Sequence, residues 1–235
     1  MIGEDSGGRW NVLPLYLDAV VYPDGHPRHG ESGPVYAYLL EDDEHLVLVD
    51  TGIGPPHPLI DRRYQPVRRD LTMALAQNNG IQLDDIDLVV LSHLHFDHVG
   101  GAQVFRGTPL YVQRAEWDAA QAPGYTIPEF LDFPGANFVM VDGEVELLPG
   151  FRLIPTPGHT PGHQSLAVST PIGAVVLAGQ AVETRAGLEA MLAGGALSDA
   201  ARRIVAARPA RVWFSHDHRI WGEPVNPATP GLPVA

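Results

Sequence analysis

The sequence predicts an α/β fold that carries its chemistry at the carboxyl end of a buried strand. Residues 86–91 form an apolar run rich in β-branched side chains, which is typical of a buried strand. A group of histidines follows this run directly, and α/β folds place their functional groups at such strand ends. The chain has 235 residues and 45% apolar content, so we expect one domain, residues 1–235, with one sizeable core.

The first half of the chain is predicted to be mostly extended. We expect a frayed start at residues 1–9, a strand at 11–21 and a turn-rich loop at 22–30. A hairpin of strands 35–40 and 46–49 around an acidic turn at 41–44 should follow, and then a helix at 68–79 that ends before Gly80. A second helix is expected to start near residues 99–101, after the histidines.

The second half repeats the alternation of strands and helices. We expect a strand and helix at 110–112 and 116–120, a hairpin of 144–148 with 151–154, strands at 166–168 and 174–178, a helix at 200–207, and a strand at 212–214. The Pro-rich tail, residues 222–235, lacks periodicity and is expected to be irregular.

The composition excludes several functions. The chain has 15 basic and 28 acidic residues and a formal charge of -13, so no basic surface is available to bind nucleic acid. It has no cysteine, which leaves histidines and carboxylates as metal ligands. No signal-peptide pattern or membrane-spanning run is present, so we expect a cytoplasmic protein that does not bind membranes.

The histidine-rich segment, residues 93–98, reads His-Leu-His-Phe-Asp-His. In an extended segment His93 and His95 face the same way and can bind one cation, while the following turn carries Asp97 and His98 towards a second. Imidazole and carboxylate ligands suit zinc. The alternative is a group of surface histidines, but these side chains would then repel one another or lack partners.

This segment resembles the signature of the metallo-β-lactamase superfamily. The resemblance extends to Val-Asp-Thr-Gly at 49–52, the Pro-Gly-His repeat at 156–163, and Trp-Phe-Ser-His-Asp-His at 213–218. Residues 111–117 and 164–166 are most similar to the N-acyl homoserine lactonase group of that superfamily. The resemblance implies a four-layer αββα sandwich with the metal site at the strand-end edge.

The resemblance also implies a ligand set for one or two zinc ions. One ion would be held by His93, His95 and His159. A second would be held by Asp97, His98 and His216, and the bridging position between the two ions is that of Gln180. Asp97 would also be the catalytic group that transfers a proton to the leaving alkoxide.

Two residues depart from the lactonase pattern. Gln180 stands where the pattern has a bridging aspartate, so the second ion should be held more weakly. Glu183 stands where these lactonases carry a tyrosine that donates to the lactone carbonyl. A carboxylate would repel the developing oxyanion unless it were protonated, so Glu183 cannot simply take over the role of that tyrosine.

Further candidates lie around this site. Tyr22, in the early loop, and Glu183 are expected to contact substrate. Trp117 and Phe130 belong to an aromatic segment, with Tyr125 and Phe133, that could line an apolar pocket or simply pack in the core. Asp50 could orient a histidine ligand or act as an ordinary cap, and His163 is expected to support the site rather than to bind metal.

The function that we predict is hydrolysis of a lactone or related ester by a metal-activated water, as in the N-acyl homoserine lactonases that quench quorum sensing. The alternatives are a thioesterase of the glyoxalase II type, a β-lactamase, and a catalytically weakened homologue that binds a metal or ligand. The expected partner is a small-molecule substrate. The oligomeric state stays open.

Overall fold

A computed structural model of the chain describes residues 10–222. The expectations for residues 1–9 and for the tail after Gly222 concern residues outside this range. The strands are β1 Asn11–Val21, β2 Ser32–Glu41, β3 Leu46–Val49, β4 Val67–Arg68, β5 Leu88–Val90, β6 Leu110–Gln113, β7 Phe138–Val141, β8 Val145–Leu148, β9 Phe151–Pro155, β10 Gln164–Thr170, β11 Gly173–Leu177 and β12 Arg211–Trp213. The α-helices are α1 Pro58–Tyr64, α2 Leu71–Ala76, α3 Phe96–Val99, α4 Arg114–Ala120, α5 Arg185–Gly194 and α6 Asp199–Ala206.

The strands form two sheets. The first has the order β4-β1-β2-β3-β5-β6-β7, and the second has the order β12-β11-β10-β9-β8. Neighbouring strands from β3 through β7 in the first sheet run parallel, so their carboxyl ends meet at one edge. In the second sheet β11 and β12 are also parallel. The loops that carry the histidines leave from these strand ends.

Alternation of side chains along the strands creates four layers. Val47 and Val49 face the second sheet and pack in a cluster that includes Leu153 and Leu177, whereas Leu48 faces a cluster with residues of α1 and α2. In the second sheet, Ile154 and Val176 point the other way, against α5 and α6. Successive residues of a strand point to opposite faces, so each sheet is apolar on both faces and is covered by helices on its outer side.

Two helices have bounds that differ from the sequence predictions. Helix α2 is shorter than the predicted 68–79 because Asp70 caps it, accepting a bond from Met73 N at 3.0 Å, and because Arg68 pairs with β1. Helix α3 begins at Phe96 rather than after Val99, so it starts inside the histidine-rich segment.

Helices α1 and α5 were not predicted. Pro58 opens α1, and proline suits a first helical turn because no N–H bond is needed there. Thr184 caps α5 by accepting from Gly187 N at 3.1 Å, and Gly195 ends it with φ 66°. No helix within residues 10–222 is long and apolar enough to cross a membrane.

Candidate metal centre

Three loops bring the predicted ligands to one edge of the two sheets. The loop after β5 and helix α3 carry residues 93–98, the β9–β10 loop carries His159, and the segment after β12 carries His216. Within the described residues their ligand atoms form two groups, each with its atoms within 4.8 Å of one another: His93 with His95 and His159, and Asp97 with His98 and His216. These are the two sets that the resemblance implied.

The three-histidine group converges on a single point. Nδ1 of His95 lies 3.1 Å from Nε2 of His93 and 3.1 Å from Nε2 of His159. Burial and the neighbouring histidines lower the pKa of His93 well below its usual range and that of His159 to about 3. These imidazoles are therefore neutral at pH 7, with lone pairs available to a cation.

The second group contains the carboxylate. Oδ2 of Asp97 lies 3.5 Å from Nε2 of His216 and 3.8 Å from Nε2 of His98, and the Gln180 amide oxygen lies 3.1 Å from that same His98 nitrogen. Burial opposes a charge on His98, but the carboxylates of Asp50 and Asp97 outweigh it and raise the His98 pKa to about 9. Burial would raise the pKa of Asp97, yet His98 and His216 lower it, so Asp97 is ionised.

The donor set fits zinc. A tetrahedral zinc ion with Zn–N bonds of about 2.0–2.1 Å holds its nitrogens about 3.3 Å apart, close to the 3.1 Å separations in the three-histidine group. The second group offers two imidazoles and a carboxylate, which also suit a borderline divalent metal. Five histidines crowded at these distances would be unfavourable without a shared cation.

Asp50 holds the second group from behind. Its Oδ2 accepts from Nδ1 of His98 at 2.8 Å and from the Ser92 hydroxyl at 2.8 Å, while its Oδ1 accepts from Ser92 N at 2.7 Å. Such a bond turns the other ring nitrogen, Nε2, towards Asp97. His216 is oriented similarly, since its Nδ1 lies 2.7 Å from the Pro34 carbonyl oxygen. Sequence reasoning identified Asp50 but missed Ser92 and Pro34, which have no metal-binding chemistry of their own.

His163 lies beside the ligands and is fully used in a chain of hydrogen bonds. Gln180 N donates to its Nε2 at 3.0 Å, and its Nδ1 lies 2.9 Å from the Thr156 hydroxyl. That hydroxyl lies 2.8 Å from the Ser165 hydroxyl, which donates to Ala178 O at 3.1 Å. The chain of hydrogen bonds starts at a backbone N–H and ends at a backbone carbonyl, so His163 is neutral and donates from Nδ1. Its Nε2 accepts from Gln180 N and thereby holds the backbone of Gln180 in place.

A cavity of about 700 Å³ opens beside both groups. Its floor carries His95, Asp97, His159, Gln180 and His216. One wall is apolar and comes largely from α1 and its neighbours: Val20, Leu59, Ile60, Tyr64, Phe96, Tyr125 and Ile127. The early loop closes another side with Tyr22 and residues 23–26. The arrangement can accept a small molecule with a polar group over the floor and an apolar arm along the wall.

Comparison with known proteins identifies this architecture. A family model described as the metallo-beta-lactamase superfamily matches residues 30–228. The chain belongs to this superfamily. An N-acyl homoserine lactonase from a Bacillus species is 34% identical in an alignment that covers 78% of this chain and 81% of that protein. The lactonase of the same name from Bacillus cereus is 33% identical with the same coverage.

Solved structures of the superfamily have the same fold. An N-acyl homoserine lactone hydrolase, with its product N-hexanoyl-L-homoserine bound at the catalytic metal center, matches with a TM-score of 0.72 and 28% identity over 89% of this chain and 93% of that one. A dizinc quorum-quenching lactonase matches with a TM-score of 0.65 but only 20% identity, over 89% and 88% of the two chains, which supports the fold alone. The predicted four-layer fold is confirmed.

Two aromatic residues that were predicted to line the substrate pocket, Phe130 and Trp117, do not border this cavity. Phe130 is 3% exposed and packs in the core, and the Trp117 ring packs against Phe138 at 4.8 Å. Helix α4 packs on β6 and β7, which turns Trp117 towards the sheet. From the same segment Tyr125 does border the cavity, and its ring lies 5.1 Å from that of His95.

Glu183, the departure from the lactonase pattern, is paired rather than free. The Tyr22 hydroxyl donates to Oε1 of Glu183 at 2.8 Å, and Arg28 Nη1 donates to that hydroxyl at 3.0 Å. The same guanidinium lies 3.4 Å from Glu183 Oε1 and 4.6 Å from the centre of the Tyr22 ring. A tyrosine hydroxyl thus lies beside position 183, but it comes from the early loop instead of from position 183 itself.

Proposed function

We propose that the protein is a single-domain, metal-dependent hydrolase that opens N-acyl homoserine lactones or closely related lactones and esters. The observation that carries the proposal is the pair of ligand groups on the floor of one cavity that also has an apolar wall. The relatives named N-acyl homoserine lactonase are 33–34% identical to this chain over 78% of its length. No observation favours a thioesterase.

The resident metal of this proposal is zinc, held by His93, His95 and His159 at the first site. When bound, zinc would lower the pKa of a coordinated water to about 7 and polarise a carbonyl oxygen. The second site would be formed by Asp97, His98 and His216 with the neutral Gln180 amide beside them, and we expect it to bind its ion more weakly than the first.

Asp97 would handle the proton during hydrolysis. Asp97 is 8% exposed and borders the cavity, and its carboxylate is ionised, so it can accept a proton from an attacking water and deliver it to the leaving alkoxide. His98 and His216 hold Oδ2 of this carboxylate, which keeps its orientation towards the floor of the cavity. Asp50 supports the same function indirectly, through His98.

The cavity walls would select the substrate. The apolar side chains of Leu59, Ile60 and Tyr64 can bury an acyl arm at about 25 cal/mol per Å² of apolar area. Tyr22, which borders the cavity, would contact the polar head of the substrate, and Glu183 would act through its bond to the Tyr22 hydroxyl, with its negative charge offset by the Arg28 guanidinium. The Tyr22 hydroxyl donates its one proton to Glu183, so in this proposal Glu183 orients Tyr22 and does not take the place of a donor to the carbonyl.

The proposal is tested with a panel of acyl homoserine lactones of increasing chain length, aliphatic lactones and a thioester, assayed alongside zinc analysis of the same sample. We expect turnover of acyl homoserine lactones to require zinc and to rise with chain length. Tight lactone binding without turnover would instead indicate a catalytically weakened homologue. Preferential thioester cleavage would refute the proposal.

A further inference from the structure

Glu116 is a buried carboxylate that belongs to neither ligand group. It lies in the first turn of α4, within the 111–117 segment, and its side chain is 0% exposed. The chemistry proposed above makes no use of it. A buried carboxylate is costly unless hydrogen-bond donors satisfy it, so its partners indicate why the chain keeps it there.

Four donors from three segments of the chain meet on this one carboxylate. Oε1 accepts from Leu94 N at 2.9 Å and from the Tyr125 hydroxyl, and Oε2 accepts from the Thr160 hydroxyl at 2.6 Å and from Gly162 N at 3.1 Å. Each oxygen thus accepts two bonds, which an ionised carboxylate can do and a glutamine nitrogen cannot.

The backbone approaches Glu116 closely enough to exclude other residues. A Cβ atom on Gly162 would lie 2.0 Å from Glu116 N and 2.4 Å from its Cα. The second glycine of the Pro-Gly-His repeat is therefore required by contact with α4. The repeat therefore packs directly against helix α4, and the Glu116 carboxylate binds it there through hydrogen bonds.

We propose that Glu116 is the positioning residue of the three-histidine site, because it bonds a residue next to each ligand and fixes one wall of the cavity. Leu94 lies between His93 and His95, and Thr160 directly follows His159. The inference rests on the proposed ligand role of these histidines. Through the Tyr125 hydroxyl the same carboxylate also fixes a ring that packs on His95 and borders the cavity.

The replacement Glu116→Gln tests the inference, because it keeps the side-chain size but presents an amide N–H₂ to at least one pair of donors. We expect zinc affinity at the three-histidine site to fall about tenfold or more, the range typical when a group that orients metal ligands is altered. The visible absorption of the cobalt-substituted protein, which reports ligand geometry directly, should change in band position as well as in intensity.

Two further variants separate positioning from general destabilisation. Thr170→Val removes a buried hydroxyl that bonds Gly173 and Ile172 in the turn between β10 and β11, which carries no candidate ligand, and it should lower the melting temperature while leaving the cobalt spectrum unchanged. Tyr125→Phe removes only the cavity-wall bond, and it should raise KM for long-chain lactones with zinc affinity unchanged.

An unchanged zinc affinity and cobalt spectrum in Glu116→Gln would overturn the inference. If that variant does not fold, Thr160→Val, which removes one of the four donors, decides it: a fall in zinc affinity of about threefold or more supports the positioning role, and no fall overturns it. Zinc affinity is measured without substrate. If Glu116→Gln weakens zinc binding but the unmodified protein hydrolyses no lactone, the positioning role of Glu116 stands and only the proposed function is refuted.

Discussion

Replacing Gln180 by aspartate should strengthen the second metal site. The Gln180 amide oxygen lies 3.1 Å from Nε2 of His98, so a carboxylate at this position would face any ion held by the second group. Two divalent ions and the Asp97 carboxylate alone carry about +3, and Gln180→Asp lowers this to about +2. The proton on His98 is also favoured by the new charge, but a divalent ion gains more than a proton does.

The size of the effect follows from Coulomb's law with a desolvation cost. At an effective dielectric constant of about 20, one charge pair about 4 Å apart contributes about 4 kcal/mol, and a divalent ion doubles this. Moving a carboxylate into the site costs several kcal/mol. The remainder is on the order of 1–3 kcal/mol, so the second zinc should bind about 5- to 150-fold more tightly in Gln180→Asp.

Chelator competition and elemental analysis after dialysis at fixed free zinc measure this directly. We expect the unmodified protein to retain between one and two zinc ions per chain and Gln180→Asp to approach two. Gln121→Glu is the charge control, since it adds the same charge at an exposed position. Two tightly held ions in the unmodified protein, with no gain in Gln180→Asp, would refute the charge argument and show that the amide already suffices.

Four further outcomes are expected. His93→Ala and His159→Ala should each lose the first zinc and essentially all hydrolysis; a variant that kept both would contradict the ligand assignment. Because the His98 pKa is raised to about 9, zinc must displace a proton from His98 below that pH. Zinc affinity at the second site should therefore rise about tenfold per pH unit from about pH 7 to pH 9 and then level off. A zinc affinity that does not change with pH in chelator competition would contradict this. Leu59→Ala should lower kcat/KM for long-chain lactones by on the order of tenfold while short-chain values stay constant. Ser198→Ala, which removes the cap of α6, should lower the free energy of unfolding by about 1 kcal/mol in urea without changing zinc content.

The ligand groups were predictable because their signals are local. Residues 93–98 contain four of the candidate ligands in one turn, and a strand pattern precedes them. Their relation to His159 and His216 came from the family resemblance, since no local pattern shows that residues 64 or more positions apart will meet. Most strands were predicted for a related reason, because alternation and β-branched runs are visible in a short window, but β4 and β7 were missed.

The cavity wall was not predictable in the same way. Whether an aromatic residue lines a pocket depends on which way its helix turns against the sheet, and Trp117 turned inwards while Tyr125 did not. Leu59 and Tyr64 belong to α1, a helix that begins at Pro58 and was not predicted. Glu116 carries a charge that suggests a surface position, and only the meeting of four segments explains its burial.

Each ligand group draws on both sheets, and this makes the metal a cross-link between the two halves of the chain. His95 and His159 are 64 positions apart, and a bond through an ion between them closes a loop that runs from the first sheet into the second. Neither half alone contains a complete group, so a zinc ion can be fully held only after the halves have docked. Zinc should therefore slow the separation of the halves far more than it speeds their folding, and its release should mark the moment when the interface between the sheets opens.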